Sequence, residues 1–268
     1  MRFRLKLLVD VQKTQERILP INYQYELSSW IYRTINSSDS DFAQWLHNTG
    51  YVNENRKFKL FTFSNLKPEK YKVSGDRLLI ESENTELTIS FYLPETVEHF
   101  ITGLFMNQSF RLGDKQSSVG FTIQQIEKLP GVEFAGTMNF HTISPMIISK
   151  NTDPGQKYAK YLSPEETGYS DLLANNLVNK FVALAEKGHL YSNKRAEMDN
   201  VPINLSIVGS PRQKLIKIKA DNASETFLKG FLFSFKLTAP VELIRIGYYG
   251  GFGEKNSLGF GCCEVVQT

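Results

Sequence analysis

The chain has 268 residues, of which 41% are hydrophobic, with two cysteines and a formal net charge of +3. That length suits two domains of middling size, each able to bury a core. No apolar run reaches the roughly 18 residues of a membrane span, and the short, charge-interrupted start MRFRLKLLVD does not read as a signal peptide. The cysteines, Cys262 and Cys263, are neighbours that would point to opposite faces of a strand, so no disulfide is expected and a reducing cytoplasm is the expected setting.

Residues 2–9 alternate, with Phe3, Leu5, Leu7 and Val9 on one face and Arg2, Arg4 and Lys6 on the other. This predicts a half-buried strand with a basic outer face. Asn22 is placed to cap a helix in which Tyr23, Leu27, Trp30, Ile31 and Ile35 keep helical spacing. A second short helix carries Phe42, Trp45 and Leu46 on one side and stops at Gly50, with Asp39 and Asp41 as capping residues at its start. Strands are expected at 58–64, 77–82 and 87–93. Pro94 then opens a helix, and a strand at 119–128 follows. The order β-α-β-β-α-β, with a helical insertion after the first helix, predicts a ferredoxin-like unit.

The second half repeats that order. A strand is expected near 136–149, and Ser163-Pro164-Glu165-Glu166 has the pattern of a capping box opening a helix that runs toward Leu184. Strands follow at 203–208, 215–220 and 226–237, then a short helix at 240–246 and a last strand at 261–266. The fold class is therefore α+β: two tandem ferredoxin-like domains, 1–132 and 133–268, with a glycine-rich segment near the end.

That segment, GGFGEKNSLGFG (250–261), has five glycines in twelve residues and Lys255, Asn256 and Ser257 at its tip. Turned backbone amides with an added lysine suit a phosphate group. Residues 1–17 and 211–236 are net basic, which is compatible with nucleic acid or with solvated strand faces. Of the four histidines, His47 falls one step off the apolar stripe of its helix. It should lie near solvent, where it is a reasonable general acid or base. His99 and His189 read as structural, and His141 alternates within a strand. No histidine pair has helical metal spacing, no G-x-S-x-G elbow exists, and G-E-K-N-S is not a Walker loop. No metal or cofactor is expected. Two ferredoxin-like folds with a basic face suggest RNA binding, without the aromatic signature of the RRM sheet.

The segment GFGEKNSLGFG strongly resembles the glycine-rich loop of the CRISPR-associated repeat-cleaving endoribonucleases. MRFRLKL, Tyr23-Gln24-Tyr25 through Ile31-Tyr32, Trp45-Leu46-His47, Lys59-Leu60-Phe61-Thr62-Phe63-Ser64, the stretch 103–107 and Thr142-Ile143-Ser144-Pro145 agree with it. The resemblance covers nearly the whole chain. It implies tandem ferredoxin-like domains and metal-independent cleavage of repeat RNA (pre-crRNA), in which the 2′-OH attacks the scissile phosphate to leave a 2′,3′-cyclic phosphate and a 5′-OH. It also implies a Tyr, His and Lys set, which falls on Tyr32, His47 and Lys59. The stretch NTGYVNENRKF between His47 and Lys59 is longer than the family pattern, which brings Arg56 and Lys57 forward as alternatives to Lys59. Lys255, Asn256 and Ser257, with Arg212, Lys214 and Lys217, are the residues expected to hold RNA. The implied partners are the repeat RNA and a CRISPR effector complex, with no membrane; monomer and homodimer stay open. The competing readings are a repeat-RNA holder without turnover and a nucleotide-binding enzyme using the glycine loop.

Overall fold

A computed structural model describes residues 1–10, 17–150, 159–190, 202–218 and 225–266. Strands β1 (Arg2–Val9), β2 (Phe61–Phe63), β3 (Asn84–Phe91) and β4 (Ser118–Lys128) form an antiparallel sheet in the order β4-β1-β3-β2. Ser109–Gly113 extends it beyond β4, and Lys67–Pro68 pairs with β3. Helices α1 (Gln24–Ser38) and α3 (Pro94–Met106) pack side by side, and α2 (Ser40–Asn48) is the inserted helix. The alternation in β1 is the reason for this packing: Leu5, Leu7 and Val9 are buried, as are Leu27, Ile31 and Ile35 of α1 and Phe100 and Leu104 of α3. Gly103 lets the helices touch, since a Cβ there would lie 1.8 Å from the Thr34 carbonyl oxygen.

The second sheet has the same order. Strands β5 (Thr137–Thr142), β6 (Asn204–Ile218), β7 (Thr226–Thr238) and β8 (Cys263–Val265) run β8-β5-β7-β6, with helices α4 (Tyr169–Glu186) and α5 (Val241–Gly250) completing the unit. The chain is thus α+β with two tandem ferredoxin-like units. Among the described residues no helix is long and apolar enough to cross a membrane.

Several expected elements differ in detail. The helix starts at Gln24 behind Tyr23 rather than under an Asn22 cap, and no side-chain cap bond forms there. Residues 77–80 leave the main sheet and pair with Ile18–Pro20 and Tyr71–Ser74 in a small separate sheet. The Ser163–Glu166 box closes a turn, with Glu166 Oε1 accepting from Ser163 N at 2.8 Å, but the helix begins only at Tyr169, after Gly168. The strands expected at 203–208 and 215–220 are one strand, β6, with a register break between Val208 and Arg212. Positions 219 and 220, like Lys13 of the amino-terminal basic run, lie outside the described residues.

The basic outer face of β1 is also corrected. Arg2 is buried against the second half of the chain. Its Nη1 donates to the Cys263 carbonyl at 2.6 Å and its Nη2 to the Tyr248 carbonyl at 2.8 Å, while the guanidinium stacks 3.8 Å over the Tyr248 ring. Arg4 lies between Glu86 (3.8 Å) and Glu127 (3.5 Å), which leaves Lys6 as the exposed cation of that face.

Candidate active site

Helix α2 is capped by Asp39, whose carboxylate accepts from Phe42 N at 2.8 Å, and it buries Phe42, Ala43 and Leu46. That register leaves His47 exposed in the last turn. The Asn48 Oδ1 lies 3.1 Å from His47 Nδ1. An amide oxygen accepts, so Nδ1 donates, and Nε2 is the nitrogen left for proton exchange with a substrate.

The long stretch after His47 is a hairpin, Tyr51–Asn53 against Arg56–Phe58, in which Tyr51 pairs with Phe58. This pairing returns the chain to where it left α2. Lys59 Nζ donates to the His47 carbonyl at 2.7 Å, and Lys57 Nζ to the Asn48 carbonyl at 2.9 Å. The expected strand 58–64 is broken here, because Leu60 has φ +53° and turns the chain sharply into β2. A left-handed leucine is strained. Its carbonyl accepts from Tyr92 N at 3.0 Å and its side chain is buried, which holds the turn and with it Lys59. Burial, reinforced by the nearby Lys57 charge, pushes the Lys59 pKa down to about 8.

Tyr32 projects from α1 with its ring 5.0 Å from that of His47, edge to face. Burial pushes its phenol up to about 12, partly offset by a hydrogen bond from the Ser257 side chain. Ser257 connects the two halves of the chain here, since its carbonyl also accepts from Ser28 Oγ at 2.6 Å. The glycine-rich segment therefore packs against α1, the helix that carries Tyr32.

Within that segment Gly259 lies against Phe63 of β2, where a Cβ would meet the ring at 2.2 Å. The backbone amides of Phe252, Glu254, Leu258, Gly259 and Gly261 all donate to carbonyls of the protein itself, which removes them from the expected phosphate cradle. The expectation for Asn256 is corrected as well. Its side chain is buried, with Nδ2 donating to the Phe252 and Phe260 carbonyls at 3.0 Å each and Oδ1 accepting from Lys180 Nζ at 2.7 Å. It shapes the loop instead of facing RNA. Lys255 is exposed at the tip. A cleft of about 570 Å³ runs between loop and hairpin, lined by Arg56, Lys57, Lys59, Lys255 and Ser257.

Arg212 and Lys214 are exposed on β6, and Lys214 lines a separate groove with Tyr71 and Leu215. Lys217 is held by Glu225 at 3.4 Å and lies 5.5 Å over the Phe227 ring. The other histidines stand apart. His99 is 4.5 Å from the Phe42 ring, His141 bonds Ser234 Oγ at 2.9 Å, and His189 meets Tyr51 edge-on. Among the described residues no three His, Cys, Asp or Glu side chains gather in a group suited to a metal ion. Cys262 and Cys263 are free and buried, and burial pushes both thiols up, Cys262 to about 11.

Lys180 of α4 escaped the sequence reading. It is 1% exposed, and its Nζ donates to the carbonyls of Gly251 (2.6 Å) and Gly253 (2.8 Å) as well as to Asn256. Burial pushes its pKa down to about 7, opposed by the Glu254 charge. The sequence carried a signal for it: Lys180 sits three residues after Leu177 and four before Leu184, within the buried stripe of the helix.

Two ferredoxin-like sheets of identical strand order, with a polar, cation-lined cleft where their elements meet, define the tandem ferredoxin-like class of protein. The chain belongs to the Cas6 family: residues 18–127 match the model of CRISPR-associated protein Cas6, N-terminal, and residues 127–265 that of CRISPR associated protein Cas6, C-terminal. It is 30% identical to CRISPR-associated endoribonuclease Cas6 1 of Methanocaldococcus jannaschii, covering 100% of this chain and 95% of the relative. CRISPR-associated endoribonuclease Cas6 of Pyrococcus furiosus is 28% identical, covering 99% and 90% respectively. The fold matches that of a solved Cas6-related protein of Pyrococcus furiosus, with a TM-score of 0.80 at 24% identity, covering 100% of this chain and 98% of that one.

Proposed function

We propose that this protein is an endoribonuclease that cleaves CRISPR repeat RNA without a metal ion, with Tyr32, His47 and Lys59 at the reacting phosphate. The observation that carries the reading is the convergence of these three side chains beside the glycine-rich loop: the Tyr32 and His47 rings 5.0 Å apart and Lys59 bonded to the His47 carbonyl at 2.7 Å. In this reading the ribose 2′-oxygen forms a bond to phosphorus and gives up its proton to water, while the bond from phosphorus to the 5′-oxygen breaks. His47 Nε2 donates the proton that the leaving 5′-oxygen needs. The Lys59 ammonium stabilises the charge that develops on the phosphorane oxygens. Tyr32, held protonated at neutral pH, positions the 2′-OH and is not its base. Arg56, Lys57 and Lys255 hold phosphates along the cleft, with Arg212, Lys214 and Lys217 as further contacts on β6. We place the division between the halves at residues 132 and 133, and the protein in the cytoplasm with its transcript.

Single-turnover incubation with repeat RNA in EDTA tests this. The expected products end in a 2′,3′-cyclic phosphate and a 5′-OH. A strict requirement for added Mg²⁺ overturns the mechanism, and RNA that is bound but stays intact makes the protein a holder. Tyr32→Phe is expected to slow cleavage by about tenfold or less, the worth of one positioning hydrogen bond. A loss of about 10³-fold or more would instead return Tyr32 to a proton-transfer role.

A further inference from the structure

We propose that Lys180 is a positioning residue for the cleavage site, and that with its neighbour Asn179 it sets both walls of the cleft from one helix. The inference rests on the function proposed above. A protonated lysine has three N–H donors, and here the Gly251 carbonyl, the Gly253 carbonyl and Asn256 Oδ1 take all three at 2.6–2.8 Å. The loop is wrapped around a single buried cation. The next residue after Asn256 is Ser257, whose carbonyl accepts from Ser28 Oγ at 2.6 Å, one helical turn before Tyr32 on α1. Lys180 therefore bears on α1, the helix that carries Tyr32, through two adjacent loop residues. On the opposite wall Asn53 Nδ2 donates to Asn179 Oδ1 at 2.8 Å, which anchors the hairpin that leads into Lys59.

Stability alone does not explain a lysine here. A methionine of similar length would fill the same stripe between Leu177 and Leu184 without desolvating a charge. What methionine lacks is the set of three donors that converge the loop carbonyls. A misplacement of about 1 Å can cost about 10²-fold in rate even when the chemistry is untouched.

The test compares wild type, Lys180→Met and Lys180→Arg in single-turnover cleavage and repeat-RNA binding, well below the unfolding temperature of each. Lys180→Met is expected to bind RNA nearly as well as wild type while its folded fraction cleaves about 10²-fold more slowly. If Lys180 only stabilises the fold, the amplitude falls but the rate constant keeps its wild-type value, and the proposal is overturned. Should Lys180→Met fail to fold, Lys180→Arg carries the comparison. Its planar fork cannot meet three convergent acceptors, so a loss of about tenfold is expected and a wild-type rate overturns the idea. A second readout needs no RNA. Amide exchange across 251–261 should be about tenfold faster in Lys180→Met, with α3 unchanged. Unaltered exchange overturns the role of Lys180. Absence of cleavage by the wild type overturns the endoribonuclease reading instead and leaves the exchange result to decide for Lys180.

Discussion

His47→Ala is expected to lower the single-turnover rate of repeat-RNA cleavage by roughly 10²–10⁴-fold while leaving RNA affinity nearly unchanged. The imidazole is exposed, so its removal opens no cavity, and the apolar face of α2 stays packed through Phe42, Ala43 and Leu46. Among the described residues its side chain has one polar contact, a local one to Asn48, and the Lys59 bond is to the His47 backbone, which alanine retains. Any rate loss therefore reports the missing proton donor and not a displaced lysine. Gel-based cleavage and filter binding on the same preparation separate the two quantities. Cleavage at the wild-type rate would remove His47 from the chemistry and direct attention to Lys59 and Lys57.

Lys59→Ala is expected to cost roughly 10²–10³-fold, the usual effect of losing one fixed charge from a transition state. Its pH dependence makes it distinguishable from a binding residue. Burial and Lys57 hold the Lys59 pKa down to about 8, so the ammonium is present below that value and is lost as pH rises through it. The cleavage rate should fall correspondingly on the alkaline side. Lys57→Ala removes a like charge, raises the Lys59 pKa and should move the alkaline limb to higher pH. A pH–rate profile of wild type, Lys57→Ala and Lys59→Ala reads both effects, and a limb that survives in Lys59→Ala would assign it to another group.

The parts of the fold legible in the sequence were those with local causes. The period-2 alternation of 2–9 and the helical spacing of Leu27, Ile31 and Ile35 each find their buried face without help from distant residues. Tyr32 and Lys59 were reached through family motifs and His47 also from its place off the apolar stripe of its helix, while their mutual arrangement depends on the Tyr51–Phe58 hairpin pairing. What the sequence hid depends on partners far along the chain. Arg2 reads as solvent-facing because alternation reports the pleat and cannot report that a second sheet will cover the other side. Asn256 reads as a polar loop tip because Lys180, the partner that draws its side chain inward, lies 76 residues away. The strand expected across Lys59 and Leu60 failed because a left-handed leucine has no compositional signature; it is held by Tyr92 and by burial.

The position of Arg2 also bears on the order of events during synthesis. Its acceptor on Cys263 lies 261 residues further along. At about 5–20 residues per second, that carbonyl leaves the ribosome on the order of tens of seconds after the guanidinium. The first sheet has all its strands by residue 128, so it can assemble while Arg2 is still hydrated. Withdrawing that cation from water and stacking it on Tyr248 is then left to the closing stage of folding. Joining of the two halves thus becomes a late event, set in time by the translation of the second.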